Sequence, residues 1–126
     1  MGYIINQPIQ AVKIARSLIT DWGKEHFIGI YFNSETKITT TELIGLGILN
    51  ACLVHPRETF RPALKSSATG IIVLHNHTSS EVEPSQDDIE VTQRLKKAGE
   101  ILGIELYDHI IFTEKKWLSM KAKKII

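Results

Sequence analysis

Cysteine is almost absent from this chain: Cys52 stands alone among 126 residues. An intrachain disulfide framework is therefore excluded, and so is a zinc site built from cysteines only. Such usage suits a reducing compartment. No positively charged, apolar leader pattern opens the chain, so a cytoplasmic protein is expected. Long hydrophobic runs are lacking as well. The longest mainly apolar stretch, around residues 43–54, is interrupted by Gly45, Gly47 and Asn50. It is too short to span a bilayer, and no membrane partner is expected. Charge of one sign is not in excess either: the formal net charge is +1, which provides no general attraction for polyanions. Lys115, Lys116, Lys121, Lys123 and Lys124 make the end locally basic. With only Trp117 as interleaved aromatic, that end reads as a solvated terminus rather than a nucleic-acid patch. Internal repeats and low-complexity linkers are also missing.

What is present is the composition of one ordinary globular domain, 43% apolar and 23% charged. Ile9, Val12, Ala15, Leu18, Ile19 and Trp22 recur at helical spacing behind Pro8, so a helix is expected over 9–22 with Gly23 as its stop. Residues 26–32 read as a strand, and the Thr- and Ile-rich alternation over 37–45 as its hairpin partner. A third short strand is expected over 49–54. Pro56 opens a helix to about residue 65, with Pro62 arguing against regularity there. The β-branched run 70–75 reads as a buried strand. A helix is expected over 85–102, with Ile89, Thr92, Leu95, Ala98 and Leu102 on one face and Gly103 as C-cap. Strands over 104–112 and 117–120 close the chain. Hairpins and crossover helices together predict an α/β fold: a mixed sheet with helices on its faces.

The chemistry concentrates between His75 and Asp88, in the stretch HNHTSSEVEPSQDD. His75 and His77 stand at i and i+2 at the end of the 70–75 strand, so persisting strand geometry puts both imidazoles on one face and turns Asn76 away. Asp88 falls in the first turn of the following helix. Two imidazoles and a carboxylate carried on a strand end and a helix start can meet at one point, and with a water they make an open tetrahedral zinc site. Each residue also has a plainer reading. The histidines can be polar residues at a strand end. Ser85-Gln86-Asp87-Asp88 fits a capping box with Asp in place of the usual Glu or Gln, and Asp87 suits the helix dipole. Glu25, at the start of the 26–32 strand, is the candidate general base, since a metal-activated water needs a proton acceptor that does not ligate the metal; otherwise it is an exposed charge between helix and strand. His26 and His55 lack a partner at metal spacing and read as structural. His109 reads as a satisfied, half-buried histidine, with the alternative of orienting a ligand. Cys52 reads as a core residue.

Glu25, then His75-x-His77, seven intervening residues, Ser85, two more and Asp88 resemble the JAMM motif of MPN-type (JAB) metalloproteases. Within that group the chain is similar to the bacterial RadC proteins. Glu25-His26-Phe27, His55-Pro56-Arg57-Glu58, His75-Asn76-His77, Pro84-Ser85-x-x-Asp88 and Asp108-His109-Ile110-Ile111 each look RadC-like, and the resemblance covers roughly residues 8–120. It implies a single three-layer α/β domain over 1–126, of the type shared with cytidine deaminases, with helices on both faces of the sheet. It implies one zinc ion held by His75, His77 and Asp88 with water as fourth ligand. Glu25 would activate that water and shuttle a proton, and Ser85 would help stabilise the oxyanion. The bond cleaved would be an amide, often an isopeptide bond on a ubiquitin-like modifier, so a protein or peptide substrate is expected.

Two departures stand out. Thr78-Ser79-Ser80 replaces the usual Pro-Ser-Gly after the histidines, which predicts an altered loop with metal binding intact. The N-terminal helix-hairpin-helix module of longer relatives is expected to be absent, so a DNA-repair or recombination role gains no support from these residues. The alternative class is a non-catalytic MPN-type interaction module, against which the intact motif argues. A deaminase needs H-x-E and P-C-x-x-C, which one cysteine excludes. The H-N-H nuclease name refers to residues spread over a longer unit, not to a tripeptide. An H-x-H amidohydrolase needs a barrel of about 250 residues. An exposed sheet edge offers a place for a homodimer.

Overall fold

The computed structural model describes residues 4–47 and 54–126. Three helices and five strands appear among them in the order α1 (Pro8–Ser17), β1 (His26–Phe32), β2 (Ile38–Leu46), α2 (Pro56–Ser66), β3 (Gly70–Asn76), α3 (Gln86–Leu102), β4 (Glu105–Phe112) and β5 (Trp117–Ser119). The strands form one mixed sheet in the order β2-β1-β3-β4-β5. Only β3 and β4 run parallel, and α3 is the crossover between them. The other neighbours are antiparallel. The strand expected over 49–54, and Cys52 with it, lies almost wholly outside the described residues. No described helix is long and apolar enough to cross a membrane.

Strand alternation builds the three layers. Even-numbered Ile28, Ile30, Phe32, Ile72 and Leu74 pack with Ala11, Val12 and Ala15 of α1 on one face. Odd-numbered Phe27, Tyr31, Ile71 and Val73 pack with Phe60 and Ala63 of α2 and Val91 and Leu95 of α3 on the other. The central strands β1 and β3 are buried along their full length, as a strand covered on both faces must be. Parity thus assigns His75 to the α2/α3 face and Asn76 to the α1 face.

Several local expectations need correction. The first helix ends at Ser17, not Trp22, although the apolar stripe continues past it. Thr20 leaves the helix to meet His26: its N–H donates to Nε2 at 3.3 Å and its hydroxyl lies 3.2 Å from the same atom. Trp22 still reaches the core and packs edge-on against Phe112 at 5.9 Å. Pro62 does not break α2, which is continuous. The carbonyl it deprives of a partner belongs to Glu58, an exposed residue. On α3 the inward residues are Asp88, Val91, Thr92, Leu95 and Gly99, while Leu102 is exposed. The basic end is exposed, as expected, and within it Lys116 pairs with Glu81 at 3.3 Å and the Lys121 ammonium sits 3.5 Å above the Tyr107 ring.

Gly99 marks the closest approach of α3 to the start of β4. A Cβ there would lie 2.3 Å from the carbonyl oxygen of Ile104, and that oxygen belongs to backbone that cannot step aside. Alanine ordinarily gains about 1 kcal/mol over glycine inside a helix. Here overpacking outweighs that gain, and Gly99→Ala is expected to destabilise the domain by about 1–3 kcal/mol, read as a lowered urea midpoint at unchanged slope.

Candidate metal centre

The parallel pairing of β3 with β4 carries the chain to a corner where β3 hands over to the loop before α3. Backbone pairing outlasts the strand by one residue, because the His77 N–H donates to the Phe112 carbonyl at 3.1 Å. That bond keeps His75 and His77 on one face, with ring centroids 4.9 Å apart. The loop then closes through the His77 ring and the Glu81 carbonyl, 3.1 Å from Nδ1. A carbonyl only accepts, so Nδ1 carries the hydrogen and Nε2 is directed inward. The substitution Thr78-Ser79-Ser80 leaves this loop closed without left-handed backbone. Among described non-glycine residues positive φ occurs only at Thr36, Ser67 and Lys124.

Ser85 caps α3, accepting the Asp88 N–H on its Oγ at 3.0 Å, and its own N–H donates to Asp88 Oδ2 at 2.8 Å. The capping box is therefore real, and it is compatible with the other reading. Oδ2 also lies 3.0 Å from His77 Nε2, and Oδ1 lies 3.1 Å from His75 Nε2. One carboxylate thus faces both imidazoles, one oxygen to each. Burial pushes the Asp88 carboxyl up, but the two imidazoles and the Ser85 N–H outweigh it and hold the group far below the usual carboxylate range. Its hydrogen bond to Asp88 raises the pKa of His77 against the opposing effect of burial, and the charge of Glu25 adds to the rise.

His75, His77 and Asp88 each offer a ligand atom within 4.8 Å of the others. Tetrahedral zinc with ordinary bond lengths sets its donors about 3.3 Å apart, so small side-chain shifts suffice. Two neutral imidazoles and a carboxylate are a donor set that zinc accepts. The sharpest sign of fit is His75 Nε2. It is fully buried and makes no hydrogen bond of proper geometry among the described residues, although Asp88 Oδ1 lies 3.1 Å away, close to the spacing that two ligands of one ion take up. This group can hold a metal ion.

A chain of buried polar contacts stands behind His75. His75 Nδ1 lies 2.9 Å from His109 Nε2, and His109 Nδ1 lies 2.6 Å from Thr92 Oγ1. The Thr92 hydroxyl donates to the Asp88 carbonyl at 2.7 Å. Its oxygen therefore accepts from His109 Nδ1–H, and His109 Nε2 accepts from His75 Nδ1–H. The assigned direction leaves a lone pair on Nε2, aimed at the group. His109 is not half-buried, as the sequence suggests, but wholly buried, and burial lowers its pKa well below the ordinary histidine value. It stands between His75 and Thr92, in contact with both. The signal that could have found it is positional. In the parallel β3–β4 register Val73 pairs with His109, one step along the sheet from His75.

Glu25 precedes β1, whose Phe27 pairs with His75. Alternation from the Phe27–His75 pair brings Glu25 to the His77 end of the same face, where its charge acts on His77, although no backbone pair joins the two. Glu25 is half-buried there. His26 is buried and donates from Nδ1 to the Lys24 carbonyl at 2.9 Å, and His55 is the N-cap residue of α2. The His26 ring thus bonds to backbone, whereas the exposed His55 ring makes no capping hydrogen bond. Beside His77 opens a groove of about 600 Å³ bordered by Trp22, Thr78, Ser79, Thr113 and Lys115.

A helix-flanked mixed sheet whose central strand ends in this His-His-Asp corner is the architecture of a JAB/MPN-type domain. The family model described as "RadC-like JAB domain" matches residues 5–125, and the chain belongs to that family. Among its relatives are a UPF0758 protein of Geobacillus sp. (strain WCH70), 43% identical over 121 residues, covering 96% of this chain and 54% of the relative. A UPF0758 protein of Staphylococcus haemolyticus is 44% identical over 116 residues, 92% of this chain and 51% of the relative. One of Desulforamulus reducens is 40% identical over 123 residues, 98% and 54% respectively. The chain spans about half the length of the curated relatives it matches.

Proposed function

We propose that this domain is a zinc-dependent metallohydrolase that cleaves an amide bond, as a peptidase or isopeptidase of the JAMM type. The observation that carries the reading is the convergence of His75, His77 and Asp88, their ligand atoms within 4.8 Å of one another, with His75 Nε2 buried beside the carboxylate and backed by the His109–Thr92 chain. His75, His77 and Asp88 would hold the ion. Zinc supplies Lewis acidity, polarising a carbonyl oxygen and lowering the pKa of water to about 7. Glu25 takes up the proton released when water adds to the amide carbon and returns it to the leaving nitrogen. Ser85 Oγ already accepts the Asp88 N–H, so its own hydrogen remains to be donated to the developing oxyanion. The groove beside His77 has the size to take a peptide segment, and a protein or peptide substrate is the one we assign.

The test is hydrolysis of peptide-amide and Lys-linked isopeptide libraries by the zinc-loaded protein, read by mass spectrometry. Activity that disappears with a chelator and returns with zinc supports the reading. No cleavage by zinc-loaded chain and full-length relative alike overturns it.

The chain behind His75 makes a prediction of its own. His109→Ala is expected to weaken zinc binding by about 10–100-fold, since the Nδ1–H that fixes the ligand loses its acceptor. Competition with a chromophoric chelator measures it. Thr92→Val should act in the same direction by less, because His109 keeps its contact with His75.

A further inference from the structure

Asn76 stands between the two histidines, yet by parity it faces away from them. It is fully buried, and its side chain continues the sheet where the backbone stops. The last backbone pair of β1 with β3 is Phe27 with His75. Beyond it, the Asn76 amide performs the pairing. Oδ1 accepts the His26 N–H at 2.6 Å, and Nδ2 donates to the Lys24 carbonyl at 2.9 Å. These two backbone groups flank Glu25. A primary amide has one acceptor and one donor side, like a peptide bond, so it grips residues 24–26 as a neighbouring strand would. On the other side the Glu25 carbonyl accepts the Gly47 N–H at 2.8 Å. The His26 ring adds its own bond to the Lys24 carbonyl at 2.9 Å. The backbone of Glu25 is thereby held from both sides, on the face of the sheet that carries the His-His-Asp corner, where its charge acts on His77.

We infer that Asn76 is a positioning residue for Glu25, coupling the strand that carries the metal ligands to the residue that moves the proton. The tripeptide His75-Asn76-His77 then holds two functions in alternation: ligand, base clamp, ligand. This inference rests on the zinc-hydrolase reading. Asn76 touches neither metal nor substrate, and its replacement should leave the three ligands in place.

The experiment uses the full chain loaded with cobalt(II), whose visible bands respond to the ligand set and to acid–base groups beside the ion. The pH midpoint of those bands is compared in wild type, Glu25→Gln, Asn76→Ala, Asn76→Asp and the Glu25→Gln/Asn76→Ala double variant, with metal content by elemental analysis. The expected result is full cobalt occupancy throughout. The midpoint should move in Asn76→Ala in the direction it moves in Glu25→Gln, and the double variant should move no further than Glu25→Gln alone. Asn76→Asp keeps the shape and the acceptor but loses the donor to Lys24, so it should move part of the way, and it carries the test if the alanine variant does not fold. A wild-type midpoint in both Asn76 variants, or an additive double variant, overturns the inference while leaving Glu25 in its role. An unmoved midpoint in Glu25→Gln overturns the assignment of Glu25, and the inference with it. Absence of cobalt in wild type overturns the metal site itself.

Discussion

Asp88→Ala is expected to take bound zinc from about one ion per chain to below about a tenth, in protein purified without a metal-binding tag and measured by elemental analysis. The carboxylate faces both imidazoles, at 3.1 and 3.0 Å. Without it only two neutral nitrogens remain as ligands, and no ligand charge offsets the desolvation of a divalent ion. The same substitution removes the acceptor of the Ser85 N–H, which costs about 1 kcal/mol of helix capping. Loss of metal therefore has to be separated from loss of fold. His77→Ala makes that separation. Its ring contacts are confined to the site and the Glu81 carbonyl, so the variant should keep the wild-type circular dichroism and still lose the ion. Full zinc content in either variant would remove His75, His77 and Asp88 as a ligand set. Ser85 and Asp88 would then be a helix cap and nothing more, and an interaction module would become the better reading.

Glu25→Gln should leave zinc content unchanged and reduce kcat for amide hydrolysis by about 10²- to 10⁴-fold, the range that a positioned general acid–base contributes. Glutamine has the shape of glutamate and can still hydrogen-bond, but it cannot accept a proton. The loss therefore falls on kcat with KM little changed, as for an interaction needed only in the transition state. The acidic limb of the pH–rate profile, which reports ionisation of the base, should flatten in the same variant. A Glu25→Gln protein that hydrolyses at the wild-type rate would sink the role of Glu25 without touching the metal site. The two substitutions thus divide the proposal between its parts: Asp88 tests whether there is an ion, Glu25 whether there is a reaction.

Much of this molecule can be read along the chain because its determinants are local. The β-branched run ending at His75, the alternation of Lys37 to Gly45, the Ser85 cap and the Gly103 stop depend on neighbours a few residues away. Gly103 indeed adopts the left-handed φ of +73° that its position requires. The identity and spacing of the donors belong to the same level. His75 and His77 share a face because strands alternate, and Asp88 sits in the first turn because Ser85 starts the helix.

Other features depend on residues far apart in sequence. The end of α1 is set by a bond from Thr20 to the ring of His26, which helical periodicity cannot register, so the apolar stripe through Ile19 and Trp22 reads as helix when it is turn. His109 becomes the partner of His75 only through parallel pairing across the α3 crossover, 34 positions away. Glu25 comes to the His77 end of the same face only through the antiparallel β1–β3 register, and Asn76 meets the backbone around it 50 positions away. The sequence by itself determined which residues can ligate a metal, which strand and helix carry them, and that they lie on one side of their own elements, because pleat, turn and cap act over a few residues. Only the tertiary structure decided what stands behind and across from them: the tautomer of His75, the burial of His109 and the grip of Asn76 on Glu25, because sheet register joins residues that local sequence keeps apart.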